Sequence, residues 1–342
     1  MMRRLAGALI ALSGLMLLSG CGAPAPDCAR PEVLCVGLVS STAGLQDHGL
    51  NQSAWETLQQ AQAHGIAARV DAIETVDARD YAKNIAVFVQ DRYDVIISSG
   101  AGLRDETLQA ARDHPSIRFI GLDQESASEA LDNFTAVHFP EDQGGFLAGA
   151  LAAQMTRTQI IGAACETAGL ASFWRACEGF RLGAQYARPG VTVLVQYHRP
   201  ESSEDLFTDE GWGTQAAQDM IRAGADVIFG VGGRPGEGAL RAASQAGAWG
   251  IGWEQDQFYQ VPDARASLLS SVVPDAAPAI LQVLSSLNQA GQAPPGLQGA
   301  MDLAPSHETE RFISPSLESL LADLKLALRN GSVVTNVPPQ AP

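Results

Sequence analysis

Beyond residue 20 this chain of 342 residues contains no run of about twenty uninterrupted apolar residues, so nothing after that point is long enough to cross a bilayer as a helix. Basic residues are scarce: 22 Lys and Arg stand against 38 Asp and Glu, for a formal charge of -16, and they form no cluster. Without a positive patch there is no footprint for a phosphate backbone, which excludes a nucleic-acid partner. Several enzyme signatures are missing as well. The sequence has no Gly-x-Ser-x-Gly turn for a nucleophile, no Gly-x-x-x-x-Gly-Lys phosphate loop and no His-Glu-x-x-His metal helix. Glycines 230, 232, 233, 236 and 238 crowd one loop without keeping the frame of a dinucleotide fingerprint. The histidines, at 48, 64, 114, 138, 198 and 307, are scattered, and the cysteines do not have zinc-site spacing. No metal, no cofactor and no catalytic residue is expected, and a binding protein is favoured over an enzyme.

The start of the chain carries the strongest local signal. Arg3 and Arg4 precede an apolar run from Leu5 to Leu18, and Ser19 and Gly20 precede Cys21. A short basic segment, an apolar run and small residues before a cut make residues 1–20 an export signal. The Leu17-Leu18-Ser19-Gly20-Cys21 ending resembles the lipobox of bacterial lipoproteins, with Cys21 as the lipidated first mature residue. An ordinary cleaved signal is the alternative. Lipidation would leave the mature chain tethered to a membrane, on its extracytoplasmic or periplasmic face, and not embedded in it. Loss of Arg3 and Arg4 leaves 20 basic residues against 38 acidic ones, or -18, a charge that keeps a tethered protein off anionic lipid.

Export makes disulfides permissible, and four cysteines remain after Cys21: Cys28, Cys35, Cys165 and Cys177. Pairing of sequence neighbours is one of three connectivities.

Along the mature chain, apolar β-rich runs alternate with helical patterns, as in βαβ units. The runs are residues 34–40, 94–99, 117–122, 160–164, 191–197, 226–231 and 249–253. Continuous stretches such as Val95-Ile96-Ile97 and Val227-Ile228-Phe229 suit parallel sheets covered on both faces. Trp55, Leu58 and Ala61 share one helical face, as do Tyr81, Ile85, Phe88 and Val89. Residues 133–140 lead into the glycines at 144, 145 and 149, a domain crossover, and residues 224–228 echo residues 93–97. Residues 21–32 read as an Ala/Pro-rich tether and residues 337–342 as a tail without packing signals.

Ligands of open parallel sheets bind beyond the carboxyl ends of the strands. The polar residues at those places are Ser41, Asp47 and Asn51 after the first run, Gly100 after the second, Asp123 after the third, Gly233 after 226–231, and Glu254 beside Trp253. Bland roles compete: Asn51 would also cap a helix from residue 52, and Asp123 would cap a turn.

These residues resemble the basic membrane protein (BMP) family of lipoproteins, which includes purine-nucleoside receptors of ABC importers. The resemblance lies in residues 36–39 with 44–56, in the crossover 133–156 containing Glu141-Asp142-Gln143-Gly144-Gly145-Phe146-Leu147-Ala148-Gly149, and in Phe207-x-Asp209-x-x-x-Gly213. It continues in Gly252-Trp253-Glu254-Gln255-Asp256-Gln257 and Asp302-Leu303-Ala304-Pro305. It implies an α/β, type I periplasmic-binding-protein fold: two doubly wound parallel-sheet lobes joined by a three-segment hinge. The implied first lobe is residues 33–137 plus about 255–280, and the second is residues 138–254 plus about 281–336. The implied function is capture of a small neutral solute by hinge closure and delivery to an ABC transporter permease. A sensor of the same fold signalling to a membrane partner is the alternative, and an exported α/β enzyme a more distant one.

Against the family's nucleoside-binding pattern the chain departs in several places. Leu50 replaces an aromatic before the Asn, Ala101 replaces another, Glu254 replaces an Asp that binds ribose, Ser41 replaces an Asp, and Pro274 replaces a Lys. Asn51, Gly100 and Asp123 carry over. Losing two rings removes stacking surface, so Trp253 and the Phe173-Trp174 pair are expected to supply replacement walls.

Overall fold

The computed structural model describes residues 26–127, 131–290 and 294–341. The export signal and Cys21 therefore lie outside the described residues. Twelve strands occur among them: β1 (Cys35–Val39), β2 (Arg69–Ile73), β3 (Val95–Ser99), β4 (Arg118–Leu122), β5 (Phe134–His138), β6 (Ile160–Cys165), β7 (Thr192–Tyr197), β8 (Val227–Val231), β9 (Trp249–Trp253), β10 (Leu268–Asp275), β11 (Gly296–Gln298) and β12 (Ala300–Leu303). They form two six-stranded sheets with the orders β11-β5-β4-β3-β1-β2 and β12-β10-β9-β8-β6-β7. The first sheet is parallel throughout; in the second, β12 alone runs antiparallel, against β10.

Burial on both faces explains the continuous apolar runs. Val95 and Ile97 enter one hydrophobic cluster while Ile96, between them, enters another. Val227 and Phe229 face one side and Ile228 the other in the same way. Such strands need helices on both sides. The helices are α1 (Leu50–Ala63), α2 (Tyr81–Gln90), α3 (Arg104–Asp113), α4 (Glu141–Met155), α5 (Ala171–Ala187), α6 (Glu210–Arg222), α7 (Gly233–Gln245), the single turn α8 (Gln257–Gln260), α9 (Ala277–Ala290) and α10 (Pro315–Arg329). The α1 to α3 helices and α9 cover the first sheet, and the rest cover the second. Helices α4 and α5 touch backbone to backbone: a Cβ on Gly145 would stand 1.9 Å from the Ala176 carbonyl oxygen, and one on Gly183 would stand 2.0 Å from that of Phe146.

The chain crosses between lobes three times: after β5, between β10 and α9, and between β11 and β12. The lobe boundary differs from the expected one. Residues 268–275, expected in the first lobe, form β10, whose buried Leu268 to Val272 extend the second sheet beside β9. The following stretch returns instead, as α9 against α1 and β11 beside β5. At the hinge the Ala276 N–H donates to Ser53 Oγ at 3.0 Å, and the Gly299 N–H to the His138 carbonyl at 2.8 Å.

Disulfides join Cys28 to Cys35 and Cys165 to Cys177. The first ties the amino-terminal segment to the start of β1. The segment after residue 336 also differs from expectation, because the Pro338 carbonyl accepts the Trp174 indole N–H at 3.1 Å.

Candidate functional site

The carboxyl ends of the two sheets meet. The Asp256 N–H, after β9, donates to the His48 carbonyl, before α1, at 2.8 Å. The His48 ring stacks on Tyr259 with centroids 3.7 Å apart. Between these ends lies a cleft. Residues following β1, β3 and β4 reach it from the first lobe, and residues following β6, β8 and β9 from the second, as the open-sheet rule requires.

Asp123 and Glu254 dominate its electrostatics. Each follows the third strand of its sheet, β4 and β9, and each is held in the left-handed backbone region, with φ of 58° and 68°. Solvent reaches both side chains, yet protein atoms surround them closely, which is the situation of a group lining an internal cleft. Removal from bulk water disfavours the charged form. Burial pushes Asp123 up to about 6, with Glu141 adding to it. Burial pushes Glu254 up to about 7, reinforced by the charges of Asp123 and Glu141. The Trp253 indole N–H, buried and without a partner within hydrogen-bonding distance, faces that carboxyl and draws it the other way. Glu141, at the start of α4, is paired with Arg175 at 2.7 Å.

Other candidate residues take varied places. Asn51 is buried in the first turn of α1, and its amide nitrogen donates to Ser41 Oγ and to the Gly44 carbonyl, both at 2.9 Å. It fastens the loop after β1 and does not cap the helix. The capping falls to Asp47, whose carboxylate accepts the N–H groups of Gly49, Asn51 and Gln52. With those bonds made, Asp47 is a support of the site and not a free ligand group. Gly100, at φ 110°, lets the loop after β3 pass Ser41, and Ala101 beyond it is exposed. Leu50 is half-buried against the core. Trp253 packs edge-on to Phe229.

The second lobe departs most from expectation. Trp174 stacks on Tyr197 with centroids 5.7 Å apart and donates its N–H to the Pro338 carbonyl, so one face and the polar edge of its ring are engaged within its own lobe and tail. Phe173 is buried behind Phe207, with centroids 5.5 Å apart. The exposed ring at that place belongs to Phe207, held at φ 64° in the loop after β7. Gly233, the first residue of α7, lies under it: a Cβ there would stand 2.8 Å from the Phe207 carbonyl oxygen. Glu166, after β6, is fully buried against His198, after β7, at 2.8 Å. Sequence reasoning missed Phe207, Glu166 and His198 as site residues. Glu166 and His198 directly follow β6 and β7, which was the signal available for them; for Phe207 it was its place in the Phe207-x-Asp209-x-x-x-Gly213 motif, since it lies ten residues beyond β7. Among the described residues, no group of three or more His, Cys, Asp or Glu is arranged to hold a metal, and no helix is long and apolar enough to cross a membrane.

Two α/β lobes, three crossings and a polar cleft between strand ends define a solute-binding protein of the type I periplasmic-binding-protein fold. A solute-binding protein of an ABC transporter system from Conexibacter woesei shares this fold with a TM-score of 0.70 at 18% identity, over 88% of this chain and 98% of that one. Residues 36–304 match the model of the Bmp family, the PnrA-like ABC transporter substrate-binding proteins, and the chain belongs to that family. Its relatives include a CD4+ T-cell-stimulating antigen of Listeria monocytogenes, 28% identical over 74% of this chain and 73% of the relative. They also include an ABC transporter nucleoside-binding protein, BmpA, of Lactococcus lactis, 28% identical over 75% of each chain. The family is one of extracytoplasmic solute receptors.

Proposed function

We propose that the protein captures a small, uncharged, hydroxyl-rich solute, a nucleoside first, between its lobes and delivers it to the permease of an ABC importer. The observation that carries this reading is the facing pair Asp123 and Glu254, two cleft carboxyls whose raised pKa values leave them suited to exchange hydrogen bonds with hydroxyls. Leu50, Ala101, Ser41 and Gly100 form the first lobe's side, Gly233 and Phe207 the second's, with Phe207 taking the stacking role expected of Phe173 and Trp174. The name of the Lactococcus lactis relative supports the nucleoside assignment. The mature chain is held at the membrane by lipid on Cys21, with the expected tether of residues 21–32 shortened to the stretch before Cys28, which is bonded to Cys35.

Calorimetry with inosine, adenosine and D-ribose tests the reading. A nucleoside dissociation constant in the micromolar range or below corresponds to about 8 kcal/mol of binding, and Glu254→Ala should weaken it at least about tenfold, a loss of ~1.4 kcal/mol. Binding unchanged in that variant would remove Glu254 from the site. Mass spectrometry of the mature amino terminus, with Cys21→Ser as control, tests the anchor.

A further inference from the structure

Glu166 is a buried carboxylate with two dissimilar partners. Its Oε1 lies 2.8 Å from His198 Nδ1, and its Oε2 accepts the Phe207 N–H at 3.0 Å. Among the described residues no Lys or Arg pairs with it. Taking a carboxylate out of water for one imidazole and one amide is costly, and an apolar side chain of similar volume would fill the space as well. What an apolar side chain cannot do is hold a backbone N–H.

That N–H belongs to Phe207, the exposed ring assigned above to the second lobe's side of the cleft. Phe207 sits at φ 64°, a conformation a non-glycine residue keeps only when its surroundings impose it. Its N–H is taken by Glu166, and its carbonyl accepts the Arg234 N–H at 3.0 Å. Gly232 makes the approach possible, because a Cβ there would stand 2.5 Å from that of Glu166. On the far side His198 is steadied by Asp209 at 3.7 Å and by Trp212, with ring centroids 4.8 Å apart. The first lobe has Leu50 and Ala101 where the resemblance places rings, so the discrimination of a flat base falls on Phe207.

We propose that Glu166 is a positioning residue: without touching ligand, it fixes the Phe207 ring as the second lobe's stacking wall and so sets the preference of the cleft for solutes that carry a flat ring. This rests on the nucleoside reading above.

The test uses the mature protein with Glu166→Ala, Glu166→Gln, Phe207→Ala and the Glu166→Ala/Phe207→Ala double variant, and inosine and D-ribose as probes. Glu166→Ala should speed amide exchange at Phe207 by about tenfold or more while β6 and β8 exchange as before. It should weaken inosine about tenfold, within the range of one lost stacking contact, and leave ribose unchanged. Glu166→Gln keeps an acceptor and should restore both readouts. The double variant should bind inosine no worse than Phe207→Ala, since the two act as one unit. Should Glu166→Ala fail to fold, Glu166→Met keeps the length without the acceptor and is expected to behave as Glu166→Ala does. Unchanged exchange at Phe207, or additive losses in the double variant, overturns the proposal. If the unaltered protein binds no inosine, the nucleoside reading fails, and the exchange result still decides whether Glu166 holds Phe207.

Discussion

Asp123 and Glu254 occupy the same place in two different sheets. Each is the first residue after the third strand, each has a positive φ, and the charge of Asp123 raises the pKa of Glu254. Gly100 and Gly232, after β3 and β8, repeat the relationship one strand away with φ of 110° and 93°. The cleft is thus built from two copies of one strand-end device, which sets two carboxyls of like charge against each other.

That arrangement has a pH signature. Both carboxyls bind protons more tightly in the folded chain, at about 6 and about 7, than in the unfolded one. Between roughly pH 4 and 7 the folded state therefore holds more protons, and stability falls as pH rises through that window. Glu254→Gln should raise the melting temperature at pH 8 by a few degrees, for about 1 kcal/mol once solvent access to the carboxyl is discounted. At pH 5 it should change little. Thermal scans at the two pH values check this, and equal effects at both would refute the assignment.

Asp47 provides a prediction that concerns stability before ligand. Asp47→Ala frees three N–H groups at the start of α1, a loss of about 1 to 2 kcal/mol by analogy with other caps. Denaturant titration should show it, and Asp47→Asn should recover part of it.

The contact between α4 and α5 admits no side chain at either glycine. Gly145→Ala and Gly183→Ala each drive a methyl into a carbonyl oxygen about 2 Å away, so either should cost at least about 2 kcal/mol through forced separation of the helices. A melting temperature equal to that of the unaltered protein would show that the helices pack less closely.

Replacing Cys165 and Cys177 with Ser opens a loop closed over a sequence separation of 12, for which chain entropy predicts a loss near 3 kcal/mol. Because Glu166 adjoins Cys165, the same variant should loosen Phe207, visible as faster amide exchange in residues 202–208.

Legibility in the sequence followed burial. Strands such as β3 and β8, apolar on both faces, were evident from their composition, and so were the helical faces around Leu58 and Ile85. Other strands were not evident. Residues 69–73 alternate Arg, Val, Asp, Ala, Ile at a sheet edge, and β11 begins at a glycine after two prolines. β10 ends in Pro274-Asp275, which disguised its place in the second sheet and misassigned the lobe boundary. Within the site, strand-end positions identified Asp123 and Glu254. Composition did not tell Asp47 the cap from Asp123 the cleft group, since only the backbone amides around each decide. Nor did it reveal that Trp174 bonds to the tail while the Phe207 ring stays exposed, because both are aromatics beside loops and their settings depend on partners 164 and 41 residues distant.

The Cys28–Cys35 bond fastens the chain's beginning to the foot of the first sheet, at the end of β1 opposite the cleft. The second lobe is joined to the first covalently only through the three crossings, so the segment before β1 is fixed to one half of the molecule and the carboxyl ends of β1, β3 and β4 open at the opposite edge from that attachment.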